Sequence, residues 1–346
     1  MSHYFYKTTF LFLSLIFLGS ACVPKENTSN NIDSNTERWQ LIPFEKLDEF
    51  NPILQPQAEL EFVCPIRKET VQWEMRNVLN PTAIVKNDKV YLLYRAQDKY
   101  GTSRIGMAIS DDGIHFEKQF EPVIYPDNDP MKVYEWNESM NSFDGVEDPR
   151  IVEDENGRYI MTYTAYDGKT ARLCSASSID LVNWTKHGLV LSDSGYTNTW
   201  SKSGAIIAKQ EGTRMIATKI NGKYWMYFGD TNLYMAYSED LVNWDLVESE
   251  EYKRLVPVLH PRPGYFDSRL VEPGPFALLT DQRVLLIYNA SNTINYNDKQ
   301  LPKFTYAAGQ ALFDKNAPYK LLDRSDSYFI KPEKDYERIG EVNEVC

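Results

Sequence analysis

The sequence predicts an all-β chain folded as a five-bladed β-propeller, and two observations carry that prediction. The first is a repeat. Ser110-Asp111-Asp112-Gly113-Ile114-His115-Phe116, Ser178-Ile179-Asp180-Leu181-Val182-Asn183-Trp184 and Ser238-Glu239-Asp240-Leu241-Val242-Asn243-Trp244 share a Ser-x-Asp, a tight turn, an aliphatic residue and an aromatic. The aromatics stand 68 and then 60 residues apart (116 to 184, 184 to 244). The second observation is a strand-like run before each unit: Lys89–Ala96, Arg158–Tyr166 and Lys223–Gly229. Arg283–Ala290 and Phe304–Phe313 extend the series. These runs are rich in β-branched and aromatic residues and are bounded by Gly, Asn and Asp, as strands are. Blade-length repeats made wholly of strand point to a propeller. Residues 40–346 accommodate about five repeats of roughly 62 residues. A β-sandwich would match the strand content but not the repeat.

The elements follow in chain order. Lys7 precedes the apolar run Phe10–Leu18, which ends in Gly19-Ser20-Ala21-Cys22. The run is too short to span a bilayer and closes on small residues, as secretory signals do. A Cys directly after Gly-Ser-Ala resembles a bacterial lipoprotein signal, so residues 1–21 are expected to be a signal peptide and Cys22 the lipidated residue. Gly19 stands where such signals usually carry Leu. Residues 22–37, rich in Asn, Ser, Thr and charge, read as a flexible tether. Residues 38–346 form the propeller. Phe44–Leu54 is the one modest helical candidate, stopped at Asn51-Pro52.

Composition narrows the function. The chain has 37 basic and 49 acidic residues among 346, for a net charge of −12. That balance argues against nucleic acid and against a basic patch on anionic lipid. Cys64, Cys174 and Cys346 form no CxxC, and the four histidines show no metal-binding spacing. No cofactor and no metal are expected. Cys174, in an alternating segment, reads as a small buried hydrophobe.

Polar groups recur at the starts and ends of the expected inner strands. Asn80-Pro81 opens one, and Tyr94-Arg95-Ala96-Gln97-Asp98 closes the next. Phe143-Asp144-Gly145-Val146-Glu147-Asp148-Pro149-Arg150 opens the second blade, Lys202-Ser203-Gly204 the third, and Phe266-Asp267-Ser268-Arg269-Leu270-Val271-Glu272-Pro273 the fourth. Phe228-Gly229-Asp230-Thr231 closes a strand of the third. Pro149 biases Asp148 toward an extended backbone. Glycoside cleavage needs one acid for the leaving oxygen and a second carboxylate for water or for the sugar. Asp148, Asp230 and Glu272 are the candidate acids. Each alone reads equally well as a hydrogen-bonded turn carboxylate.

Together, Asn80-Pro81, Tyr94-Arg95-Ala96, Gly145-Val146-Glu147-Asp148-Pro149-Arg150, the Asp-Leu-Val-Asn-Trp repeats and Pro273-Gly274-Pro275 resemble glycoside hydrolase family 130. The resemblance spans roughly residues 60–345. It implies a five-bladed propeller acting on β-mannosides, either by phosphorolysis or by hydrolysis of β-1,2-mannosides. Phosphorylase members tend to carry a His-Arg pair where this chain has Gly229-Asp230, and small residues where it has Glu272. The acids here imply the hydrolase branch, since they repel phosphate and can orient water. By the resemblance, Asp148 is the general acid, its proton relayed through a mannose hydroxyl. Glu272 is the base, and Asp230 is the alternative base or a partner that positions the water. The outcome would be inverting, with the carboxyls roughly 6.5–9.5 Å apart or more. Asn80, Arg95, Asp98, Arg150, Lys202 and Asp267 would hold sugar hydroxyls, although Arg95 and Arg150 would serve equally as structural partners of acids such as Glu147. Related chains continue past the point matching Ile339–Cys346, so the chain is expected either to be truncated there or to close its last blade differently. The expected partners are a β-mannoside oligosaccharide and a membrane reached through the lipid at Cys22. A phosphorylase and a non-catalytic glycan-binding lipoprotein are the alternatives.

Overall fold

A computed structural model describes residues 39–139, 143–192, 195–202, 204–293, 298 and 301–345. The expected signal peptide, the tether, Cys22, Ser203 and Cys346 lie outside the described residues.

The fold is all-β, with two one-turn helices at Lys132–Glu135 and Asp335–Arg338. A hairpin comes first, β1 (Glu61–Cys64) with β2 (Glu69–Gln72). Four antiparallel meanders follow. The first is β3 (Asn77–Lys86), β4 (Lys89–Gln97), β5 (Thr102–Ser110) and β6 (Glu117–Lys118). The second is β7 (Asp144–Glu153), β8 (Tyr159–Tyr166), β9 (Ala171–Ser178) and β10 (Thr185–Leu189). The third is β11 (Ala205–Glu211), β12 (Arg214–Ala217), β13 (Tyr224–Asp230), β14 (Asn232–Ser238) and β15 (Trp244–Leu246). The fourth is β16 (Leu270–Leu279), β17 (Arg283–Ser291), β18 (Tyr306–Asp314) and β19 (Leu321–Arg324). The strand runs read from sequence therefore fall on β4, β8, β13, β17 and β18. Phe44–Leu54 forms a turn and extended chain rather than a helix; its apolar side chains stay largely exposed, so no helical face is buried to offset nucleation.

Few parallel pairings join the meanders: Thr102 to Asp144 and Ser103 to Gly145, Ile216 to Glu153, and Ile207 to Ala277. Gly145 is required where β7 meets β5, because a Cβ there would sit 2.1 Å from the Ser103 carbonyl oxygen. Apolar side chains pack between consecutive meanders. One cluster joins β1–β2 to the first meander through Phe62, Trp73 and Tyr94. Others join first to second (Ile105, Met161), second to third (Ile160, Met226) and third to fourth (Tyr227, Leu286). Sheets stacked face to face around a common axis give a propeller-like arrangement.

Two repeated polar devices hold this frame. The Ser-x-Asp turns are the outer one. In each, the Asp carboxylate accepts backbone N–H groups two and three residues on, and the Ser hydroxyl binds the Asp: Ser110 Oγ–Asp112 at 2.9 Å, Ser178 Oγ–Asp180 at 3.0 Å, Ser238 Oγ–Asp240 at 3.1 Å. These are Asx-turns, built for geometry. The inner device is a buried triad of tyrosine, acid and cation. Tyr94 donates to Glu74 at 2.7 Å, and Lys118 pairs with the same carboxylate. Tyr163 donates to Glu135 at 2.9 Å, with Lys186 as the cation. Tyr288 donates to Asp267 at 2.8 Å, with Arg324 at 2.7 Å and Arg262 at 2.9 Å. In the third meander Tyr227 bonds the Pro318 carbonyl at 2.6 Å instead. A buried carboxylate in this position is tolerated because two or more donors satisfy it.

The C-terminal segment reaches the first meander through side chains. Glu341 pairs with Arg76 at 3.1 Å and accepts from Asn77 at 3.2 Å, beside the start of β3. The Tyr306 N–H, at the start of β18, donates to the Glu344 carbonyl at 2.8 Å. The segment therefore bridges the fourth meander and the first.

Candidate active site

The site grows from a backbone defect repeated in three inner strands. The register of β3 against β4 slips between Leu79 and Thr82, that of β7 against β8 between Glu147 and Arg150, and that of β16 against β17 between Pro273 and Ala277. Each slip contains a proline, which cannot donate to the ladder and so favours a bulge. The bulges turn side chains out of the sheet. Asn80 and Asp148 sit there at φ 45° and φ 51°, a left-handed conformation that Asn and Asp tolerate better than most residues. The extended backbone expected for Asp148 is therefore corrected: the bulge overrides the bias imposed by Pro149. The two bulges meet, with Asn80 Nδ2 donating to Asp148 Oδ1 at 2.6 Å.

Around Asp148 stands a cationic frame. Arg95, on β4, lies 3.7 Å from Asp148 Oδ1 and pairs with Glu147 at 2.7 Å. Lys202 Nζ lies 3.8 Å from Asp148 Oδ2 and 3.1 Å from Glu147 Oε2. Glu147, which is buried, thus clamps both cations in place. Burial would raise the Asp148 carboxyl, but Lys202, Arg95 and the Asn80 hydrogen bond hold it below the usual carboxylate range. Burial would lower Lys202, but Glu147 and Asp148 hold it above its ordinary value. Arg150 donates from Nε to the Gly274 carbonyl at 3.1 Å and so joins the second bulge to the fourth meander's.

The opposite wall carries the other acids. Glu272, on β16, is pushed up to about 8, first by burial and then by the charges of Asp230 and Asp148, against the pull of Lys202 and Arg150. Asp230 ends β13 and is held by Trp200, whose Nε1 donates to Oδ2 at 2.9 Å. Tyr306 completes this side; burial and then Glu272 raise its hydroxyl to about 12. Glu147, Asp148, Asp230 and Glu272 share the site with Arg95, Lys202 and Arg150, and Arg269 stands near Tyr306. Of these acids, Glu272 is the one whose surroundings most favour the protonated form.

The structure brings together Asn80, Arg95, Asp148, Arg150, Lys202, Asp230 and Glu272. It excludes two of the expected sugar ligands. Asp98 is 1% exposed; its carboxylate accepts the Tyr100 and Thr102 N–H groups at 2.9 and 3.1 Å and pairs with Arg104 at 2.9 Å. Asp267 is the acid of the fourth meander's buried triad and is wholly inaccessible. Both have their lone pairs spent on protein donors. Sequence reading offered Glu147 as a partner of Arg95, which it is, but not of Lys202, and it did not single out Trp200 or Tyr306 as site residues. Asp98 was open to correction from the sequence, since Asp167…Arg172 repeats Asp98…Arg104 in the next hairpin and forms the same pair at 2.8 Å. Among the described residues no cluster of His, Cys, Asp and Glu is arranged to hold a metal.

Propeller-like sheets with carboxylates and fixed cations gathered at inner-strand bulges and strand ends define the class: a glycosidase-type, sugar-directed scaffold. The chain matches the glycoside hydrolase family 130 profile, described as beta-1,4-mannooligosaccharide phosphorylase, over residues 44–346. It is 30% identical over 316 residues to the 1,2-beta-oligomannan phosphorylase of Thermoanaerobacter sp. (strain X514), covering 88% of each chain. Among solved structures it is similar to a glycosyl hydrolase from Bacteroides ovatus, with 38% identity, coverage of 88% of this chain and 86% of that one, and a TM-score of 0.83. A further structure is described as showing that this family of mannoside phosphorylases contains glycoside hydrolases that target beta-1,2 mannosidic linkages in Candida mannan. It is 39% identical, covers 90% of this chain and 87% of its own, and superposes with a TM-score of 0.84. The chain belongs to glycoside hydrolase family 130.

Proposed function

We propose that this protein is an inverting β-1,2-mannosidase, exported and anchored through a lipid on Cys22. The observation that carries the hydrolytic reading is the placing of Glu272 beside Asp230, whose charge already opposes ionisation of Glu272, so that a phosphate anion would add to an existing repulsion. Inorganic phosphate would have to enter beside both. The nearby cations are already engaged: Arg95 and Lys202 on Glu147, and Arg150 on the Gly274 and Pro149 carbonyls. Water meets no such barrier.

The chemistry follows from the contrast between the two acids. Inverting hydrolysis needs one protonated acid and one ionised carboxylate, and an acid whose surroundings favour its proton, Glu272, beside one held ionised, Asp148, supplies such a pair. Glu272 takes a proton from water as the oxygen attacks the anomeric carbon. Asp148 gives a proton, through a mannose hydroxyl, to the departing glycosidic oxygen. For this a proton must pass from Glu272 to Asp148 when sugar binds. Sugar hydroxyls inserted between Asp148 and its cations would weaken the field that keeps it ionised, which is the direction required. Asn80, Arg95 and Lys202 stand beside Asp148 to receive hydroxyls. The frame is inferred to have five blades, with the β1–β2 hairpin as the nucleus of the fifth.

The test is product identity. Purified protein is incubated with β-1,2-mannobiose with and without phosphate. Free mannose without phosphate, released first as the α-anomer, is expected; strict phosphate dependence with mannose 1-phosphate as product would overturn the reading. Phosphorolysis is the second reading, favoured by the phosphorylases among the relatives. The anchor is tested by fractionation: Cys22→Ser should move the protein from membrane to soluble fractions.

A further inference from the structure

Trp200 stands apart from the other large aromatics of the pocket rim. It is 45% exposed, yet its position is fixed at several points. Its indole N–H donates to Asp230 Oδ2 at 2.9 Å. Its ring meets the Tyr166 ring edge-on, with centroids 6.0 Å apart and planes at 69°. The next residue, Ser201, is fully buried and bonds through its N–H to the Ala171 carbonyl at 3.0 Å. The residue after that, Lys202, reaches Glu147 at 3.1 Å. Three consecutive residues therefore reach both walls of the pocket, one to the Asp148 side and one to the Asp230 side. Leaving a fixed indole face in water forgoes the stabilisation that covering it would bring. The C–H face of a sugar ring is apolar, flat and ringed with hydroxyls, and Asp230 stands at the indole's edge to accept one of them.

We propose that Trp200 is a positioning residue for Asp230 and the platform on which a sugar ring of the substrate rests. The proposal builds on the mannosidase reading. Asp230 has one oxygen on the indole and the other near the Thr231 hydroxyl at 3.3 Å, so the indole bond sets which way the carboxylate faces. What it faces is Glu272, whose charged surroundings are Asp230, Lys202, Asp148 and Arg150, with Tyr306 alongside. If the indole bond is lost, Asp230 can turn away, its repulsion weakens, and Glu272 gives up its proton at lower pH.

The experiment is a double-mutant cycle on mannobiose cleavage, run with and without phosphate. Trp200→Phe keeps a ring and removes the N–H. It should lower kcat roughly 10-fold with little change in KM and shift the Glu272 limb of the pH profile to lower pH. Trp200→Ala should in addition raise KM, by roughly 10-fold for about 1.4 kcal/mol of lost stacking. In an Asp230→Asn background, Trp200→Phe should cost nothing further in kcat. Full additivity in that cycle, or an unmoved pH profile, would overturn the positioning role. The cycle reads equally on phosphorolysis, so a phosphate requirement would end the mannosidase reading without deciding this one. Tryptophan fluorescence during mannobiose titration reads the platform without turnover. A response present in wild type and absent in Trp200→Phe supports it, and identical responses overturn it.

Discussion

The hairpin joining β4 to β5 and the hairpin joining β13 to β14 both end a second strand on the pocket side, and both carry an acid at that end. In the first, the turn is long: Gln97 pairs with Ser103, and Asp98 lies in the loop between. There its carboxylate caps the turn and pairs with Arg104. In the third meander Asp230 pairs with Asn232, leaving Thr231 alone at the tip with φ 72°. A turn that short offers no run of N–H groups to its acid, and β14 brings no arginine. Asp230 is left to bind the Trp200 indole and to act on Glu272. Loop length, more than residue type, separates an acid that folds the protein from one that serves its pocket. The second meander supports this: its four-residue turn locks Asp167 onto Arg172, as in the first.

The sharpest way to test the contrast is to remove charge at both kinds of position. The largest effect belongs to the pocket. Asp148→Asn and Glu272→Gln should each lower kcat by roughly 10²–10⁴-fold while the circular dichroism and melting curve stay native; near-full activity in Asp148→Asn would remove it as the acid. Next come the two hairpin acids. Asp98→Asn leaves buried Arg104 without its partner and should cost about 3–5 kcal/mol in a denaturant melt, with kcat per folded molecule unchanged. Asp230→Asn should do the reverse, losing activity and little stability. If Asp98→Asn lost activity but not stability, the distinction would be wrong. Asp267→Asn should behave as Asp98→Asn does.

A smaller effect is the pH dependence of stability. Glu272, Glu135 and Asp144 are raised to about 8, about 7 and about 6, in each case chiefly by burial. Each keeps its proton to higher pH in the native protein than in the unfolded chain. The native state therefore binds more protons between about pH 4 and 8, and stability falls as pH rises through that window. Tm should decline from pH 5 to pH 8, and Glu272→Gln should flatten the upper part of the decline. An unchanged slope in that variant would mean that Glu272 does not hold the proton. The smallest effect is at the outer turns: Asp112→Ala should cost about 1 kcal/mol, as loss of a helix-cap carboxylate does, and leave kcat unaltered.

Much of this was legible from residues alone. The Ser-x-Asp turns and the strand runs are local, because hydrogen bonds within three residues and side-chain shape decide them. Asn80, Asp148 and Glu272 were legible as polar groups beside prolines at strand mouths, but the bulges that aim them were not, since the pairing that slips there is made with a neighbouring strand. Asp98 and Asp267 were misread because composition shows an acid near a strand end but not the donors that surround it. Apart from Arg262, which lies five residues from Asp267, the acids Glu74, Glu135 and Asp267 find their tyrosines and cations 20 to 57 residues away in sequence.

By itself, then, the sequence determined the strands, the turns, the family and the cluster of residues at the strand mouths, all of which depend on neighbours along the chain. Only the tertiary structure decided which acids are spent on structure and which face the pocket, which of them burial and charge push up, and that Trp200 and Tyr306 stand with the acids. Those outcomes depend on charges and donors brought together across meanders, and burial makes each such meeting count: in a low-dielectric pocket, one neighbouring charge changes what a carboxylate can do.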